Sequence, residues 1–230
     1  METTILRSTG LAALVGTLLY AIGDVLLLAG KISLDDYPKL KPFAKLLSDA
    51  ERMVVLPPHR LIWGALLGVF ATPLVLLGYW QVYQGLGATT DWAVLTTVGL
   101  FGIASITGAF VHGTFYFMGE YIHALNNVEE TSQSVIAAMI ERHKKVLIIS
   151  YAPVMILVIV ASVLFSILVA SGKTAFPVWV AAINPVTMTI TWLVIKRVLP
   201  QFVRDWTEGA GFNIAFMAFF LCTTITLWNK

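Results

Sequence analysis

Five stretches of the chain, 61–90, 92–119, 146–172, 174–195 and 209–229, contain no Asp, Glu, Lys or Arg, and a sixth, 8–30, contains only Asp24. Each is longer than the roughly 18 apolar residues that suffice for a membrane-spanning helix. The runs are continuous, which sets aside an outer-membrane barrel assembled from ~10-residue alternating strands. The pattern predicts an all-α, polytopic integral membrane protein, a six-transmembrane-helix bundle forming one domain over residues 1–230. Its spans are placed near 9–30, 61–83, 93–119, 146–171, 176–199 and 210–228. Arg7 ahead of the first run would also suit a secretory signal, but the run continues to Gly30 and carries Asp24, so it is read as a span.

Composition adds exclusions. Of 230 residues, 58% are hydrophobic and 12% charged, against roughly 45–50% and about 25% in soluble domains. A water-soluble globule and a disordered chain are both excluded. The gaps between spans are too short for a soluble catalytic domain, because folded units below ~40 residues usually need staples. Any chemistry therefore falls to the bundle and its rims. Cys222 is the only cysteine, so an internal disulfide and a multi-cysteine zinc site are out.

The charges are one-sided. Twelve of the fifteen Lys and Arg lie after spans one, three and five, and only Arg7, Lys173 and Lys230 lie on the other side. The positive-inside rule then puts loops 31–60, 120–145 and 200–209 in the cytoplasm and both termini outside it. Trp63, Trp80, Trp92, Trp179, Trp206 and Trp228 fall near span ends, where amphipathic rings prefer the headgroup layer. Two short cytoplasmic interfacial helices are expected. Tyr37, Leu40, Phe43, Leu46 and Leu47 recur at helical spacing among Lys39, Lys41 and Lys45, a pattern suited to an anionic lipid surface. Ser48 with Glu51 and Asn127 with Glu130 have capping-box spacing, the second opening a helix that runs through Arg142 and Lys144 into the fourth span.

An ionisable residue inside a span is costly and is a functional candidate by default. Asp24 lies about 9 Å inside the edge at Gly30, and His112 about 12 Å inside the same edge at Glu120, counted at 1.5 Å per residue. Asn213 sits shortly inside the cytoplasmic start of span six, and His59 and Arg60 stand at the cytoplasmic start of span two. His112, Tyr116, Glu120 and His123 share one face of span three, and Tyr20 stands one turn from Asp24. Gly23 and Gly113 beside these residues allow close helix approach.

This set admits three readings. Asp24 paired with Arg60 or a histidine, and Asn213 bonded to a backbone carbonyl, would simply lock helix order. A metal centre is disfavoured: His112 and His123 are about 16 Å apart along one helix, and Glu120-x-x-His123 has no second copy. Neither a metal nor a cofactor is expected. The third reading is an acid–base pocket. Low dielectric disfavours the charged form of any acid or base, so a buried carboxyl and imidazole can exchange a proton near neutral pH. Asp24, His112 and Glu120 are then the candidate catalytic groups, with Tyr20, Tyr116, Asn213, Arg60, His59 and His123 binding the substrate.

Motifs add little. The chain has no P-loop, no G-x-G-x-x-G and no H-E-x-x-H, and nothing in it points to nucleic acid. Gly64-x-x-x-Gly68 serves either internal packing or association into a homo-oligomer. Pro73 and Pro185, with Trp80 and Trp192, share an offset of 112 residues, which raises an inverted repeat with Asn184-Pro185 as a broken helix. Beyond the lipid bilayer, the partner expected is a lipophilic or small-molecule substrate. The favoured function is membrane-embedded proton-transfer chemistry, such as isomerisation, cyclisation or hydrolysis, on a lipophile in a cytoplasm-facing pocket. A small-solute transporter, proton-coupled or not, and a noncatalytic sensor or assembly subunit are the alternatives.

Overall fold

In the computed structural model, which describes residues 3–48 and 50–230, the chain is all-helical. Four helices are long and apolar enough to cross a membrane: α1 (Thr3–Leu28), α3 (Pro58–Gly85), α4 (Trp92–Asn127) and α5 (Glu130–Ala170). The shorter helices are α2 (Ala44–Leu47), α6 (Pro185–Val198), α7 (Gln201–Trp206) and α8 (Gly211–Leu227). The end of the bundle that gathers Lys31, Arg52, Arg60, Arg142 and Lys196 is called here the basic end.

Small residues set the central contact. Lipid tails are as apolar as leucine, so helices associate in membranes through close packing, for which small side chains are needed. The buried stripe of α1 includes Gly10, Ala13, Gly16, Thr17, Ala21 and Gly23, and that of α3 includes Gly64, Ala65, Gly68, Ala71, Thr72 and Gly78. These two stripes meet in the most extensive helix pair of the molecule. Gly64 of the Gly64-x-x-x-Gly68 pair lies against Leu26 and Leu27 of α1, so the motif is used for internal packing. α8 closes on the other side of α1, tied at the far end by Arg7, whose guanidinium donates to the Trp228 carbonyl at 2.7 Å and lies over the Trp228 ring. There α3 and α8 share a buried polar contact, Thr224 donating to Gln81, whose amide donates in turn to the Leu6 carbonyl.

Two apolar cores result. The larger is rich in aromatics, with Tyr79 stacked parallel on Phe101 and with Phe165, Phe219 and Phe220 fully buried beside them. The smaller lies at the basic end, where Leu27, Leu40, Leu47, Met53, Leu61, Ile122 and Ile140 meet. It exists because α4 and α5 have 36 and 41 residues, about 54 and 62 Å at 1.5 Å per residue, well beyond a ~30 Å hydrocarbon core.

Several sequence expectations change here. The segment 34–55 is not an amphipathic helix lying on lipid but a chain of short helical turns folded over the ends of α4 and α5. Leu40 and Leu47 are buried in that small core, and Lys39 and Lys144 donate to the carbonyls of Val128 and Leu46. The second expected interfacial helix is not a separate short element but, as its spacing predicts, runs on into the fourth span as the beginning of α5. Neither capping box forms. Ser48 closes α2 in a left-handed conformation (φ 43°), and Asn127 is the last residue of α4. The region read as a fifth span is divided: a 3-10 turn over Val178–Ala182 precedes α6, which Asn184 opens with a true capping box alongside Thr187. Pro185 sits at the first helical turn, where its missing N–H has no partner to lose, whereas Pro73 lies inside a continuous helix. The two prolines are therefore not equivalent, and the inverted repeat has lost its anchor. Carbonyls at the break are already taken, that of Ala181 by Ser166 and that of Ala182 by Thr187.

Candidate functional site

Where α1, α3 and α4 cross, glycines replace side chains around one imidazole. His112 projects from α4 onto the α1–α3 seam and is buried there. A Cβ at Gly68 would fall 2.5 Å from its Cγ and Nδ1, and one at Gly23 2.9 Å from its Cε1. The ring thus fills the space these two glycines leave. Tyr20 meets it edge-on at 5.3 Å.

Hydrogen bonding fixes the tautomer of His112. Nδ1 lies 3.0 Å from the carbonyl of Ala65, which can only accept, so Nδ1 carries a hydrogen. Nε2 lies 3.2 Å from Asp24 Oδ1, outside aligned hydrogen-bond geometry. A neutral imidazole in this tautomer would set its lone pair against a carboxylate oxygen. Nε2 and Oδ1 thus bring a base and an acid into direct contact without an aligned hydrogen bond. The second oxygen, Asp24 Oδ2, accepts from Asn213 Nδ2 at 2.6 Å. Asp24, His112 and Asn213, three sequence candidates from three different helices, form one connected group.

This group borders a cavity of about 500 Å³. Its walls are mainly apolar, with Val75, Val154, Val158, Phe212 and Phe216 among them, and Thr17, Ser105, Tyr79 and Tyr151 add hydroxyls. α5 and α8 face one another across the cavity with their backbones well apart, and they meet through Phe165 and Phe219, whose rings pack edge to face at 5.2 Å. Ile148 and Tyr151 of α5 line it while remaining exposed on the helix surface. The gap is lateral and lies in the half of the bundle nearer the basic end. At the other end the aromatic core closes it.

The remaining candidates go elsewhere. Tyr20 lines the cavity, but its hydroxyl hydrogen is committed. Thr72 spends its own hydrogen on the Gly68 carbonyl, so Tyr20 must be the donor in the 2.5 Å contact with Thr72. Tyr20 therefore positions His112 and is not a free donor to substrate. Arg60 donates to the carbonyls of Leu26 and Val25, and Arg52 to that of Leu28, so these cations cap the C-terminus of α1 and do not pair with Asp24. Cations are favoured at that end of a helix dipole. His123 bonds the Met53 carbonyl at 2.9 Å, Tyr116 packs in the small core, Glu120 is half-buried beyond the cavity, and His59 is exposed. Tyr116, Glu120 and His123 share a face with His112, but α4 carries them past the site and into the small core.

An all-helical membrane protein with a polar triad beside a lateral apolar cavity is the class this arrangement defines. The chain belongs to the family described as a family of unknown function (DUF6796), which matches residues 1–230. No curated protein and no solved structure matches it.

Proposed function

We propose that this protein is a membrane-embedded enzyme that carries out proton-transfer chemistry on a lipophilic substrate. In this reading α6 with its preceding turn and α8 complete six crossings, the basic end faces the cytoplasm, and both termini lie on the other side. The substrate enters from the bilayer between α5 and α8. The observation that carries the reading is the close pair Asp24–His112 at the wall of an apolar cavity. An acid and a base so close can act on one substrate in opposite senses. Asp24 takes a proton from the substrate while His112 gives one to it at a second atom. Proton return from Asp24 to His112 across 3.2 Å restores the pair, so an isomerisation closes without water or net charge transfer. Asn213 holds the carboxylate in place.

Transport is the second reading, and the aromatic core weighs against it. Phe101, Phe165, Phe219 and Phe220 are fully buried across the far end of the cavity, and a path for solute would have to part them.

Lipid extracts of cells expressing wild type or Asp24→Asn distinguish these outcomes, with variant folding checked by thermal unfolding. The enzyme reading expects one lipophilic species to be depleted and an isomer or other proton-transfer product to rise in wild type alone. Identical extracts from two folded proteins would sink it. Uptake of solute into proteoliposomes driven by a pH gradient, abolished by Asp24→Asn, would replace it with transport.

A further inference from the structure

The hydroxyl of Tyr79 is the one polar group of the cavity that the acid–base reading leaves unused at the closed end. Ser105 donates to it at 3.1 Å, and among the described residues no acceptor takes the hydrogen of the phenol itself. The ring cannot easily turn away, since it stacks parallel on Phe101 at 5.2 Å and lies against Phe220 at 5.3 Å. Both Tyr79 and Ser105 line the cavity. Ser105 stands seven residues before His112 on α4, which places it two turns away on the same face, about 10 Å along the axis. Between them the wall carries Val75, Val111 and Val158, and the hydroxyls of Tyr20 and Thr17 there spend their hydrogens on Thr72 and on the Ala13 carbonyl.

The cavity therefore has two polar ends. At one, Asp24, His112 and Asn213 can both donate and accept. At the other, a single fixed hydroxyl offers a hydrogen. Leaving a buried donor without a partner is costly, so a ligand that supplies an acceptor there is selected over one that does not. We infer that the substrate is a compact lipophile with an oxygen function at each end. Its reacting end lies at Asp24–His112, and a hydroxyl or carbonyl at the other end accepts from Tyr79. A lipid acyl chain or a single-headed alcohol would leave Tyr79 unsatisfied. The inference rests on the lipophilic-substrate reading of the same cavity.

Two rigid phenols test it. 4,4′-Dihydroxybiphenyl carries an oxygen at each end, and 4-hydroxybiphenyl lacks one of them. Thermal unfolding of the purified protein in detergent, titrated with each, reports affinity because a ligand of the folded state raises Tm with its concentration. Wild type should bind the diol about fivefold to tenfold more tightly, the worth of one hydrogen bond. Tyr79→Phe should bring the diol down to the level of the mono-alcohol without changing the latter. Asp24→Asn should weaken both. Ser105→Ala keeps the phenol and should keep the preference, so the wild-type and Ser105→Ala comparisons decide the matter even if Tyr79→Phe does not fold. Equal binding of the two probes to wild type, or an equal loss for both in Tyr79→Phe, overturns the two-ended ligand while the cavity reading stands, provided Asp24→Asn still weakens both. If neither probe shifts Tm, or Asp24→Asn changes nothing, the cavity reading fails and takes this inference with it.

Discussion

A methyl group added at Gly68 would sit 2.5 Å from Cγ and Nδ1 of His112 and 2.8 Å from Cδ2. Optimal separations between such atoms are about 3.5–4.0 Å, so Gly68→Ala requires the imidazole or the helix to move by about 1 Å. The ring has no flexible end that could swing aside. Its displacement breaks the bond from Nδ1 to Ala65 at 3.0 Å and moves Nε2 relative to Asp24. Overpacking of a tight interior costs about 1–3 kcal/mol, and the lost hydrogen bond adds about 1. The better helix propensity of alanine returns about 1. A net loss of about 1–3 kcal/mol follows. Gly99 supplies the control, because a Cβ there meets nothing within 4 Å, and Gly99→Ala should be neutral or slightly stabilising. Equilibrium unfolding of the purified variants in mixed micelles measures both. The decisive arm is the double variant: with His112→Ala in place the added methyl has room, and the cost of Gly68→Ala should largely vanish, a coupling of the kind contacting residues show. The reasoning is refuted if Gly68→Ala costs no more than Gly99→Ala, or costs as much without the imidazole as with it.

Other outcomes are as specific. Tyr20→Phe keeps the edge contact with His112 but removes the bond to Thr72, so unfolding should show a loss of about 1 kcal/mol while the lipid product of wild type persists; loss of product in a stable variant would return Tyr20 to the substrate-binding groups. The hydrogen bond from Lys31 holds the Asp205 carboxyl below the usual carboxylate range. Any stability from this pair is complete above the ordinary Asp range and lost as pH falls through the lowered value. An NMR titration of Asp205 should move upward in Lys31→Ala, and an unchanged midpoint would mean that the pair is not formed in solution. In a Cys222→Ser background, a membrane-impermeant maleimide should label Ser171→Cys on intact cells and Gln201→Cys only after permeabilisation. Equal labelling of the two would remove the crossing assigned to α6 and its preceding turn.

The long helices were legible because a run of twenty uncharged residues leaves water no role. The polar triad was partly legible too: Asp24, His112 and Asn213 all lie within spans toward the same edge, and the helices bring them together. Depth could not separate His112 from Tyr116, Glu120 and His123, because helical spacing defines a face and not where that face leaves the membrane. The turns over residues 34–55 make that distinction by building a second core around the lower part of α4. Asn184-Pro185 held a clear signal, Asn at the cap and Pro just inside, which marks a helix start more directly than a broken span. Tyr79, Ser105 and Tyr151 carried none. A tyrosine or serine in an apolar run reads as core or headgroup anchor until the neighbouring helix shows where its hydroxyl goes.

The short distance between Asp24 and His112 has an electrical consequence. A full elementary charge crossing the membrane works against about 2.3 kcal/mol per 100 mV. The separation of Nε2 and Oδ1 is 3.2 Å, about a tenth of a ~30 Å hydrocarbon core. A proton passing between them therefore senses at most about 0.2 kcal/mol of a 100 mV potential. The proposed chemistry at this pair would run at nearly the same rate in an energised membrane as in a collapsed one. It would be carried out inside the insulator without using the field across it.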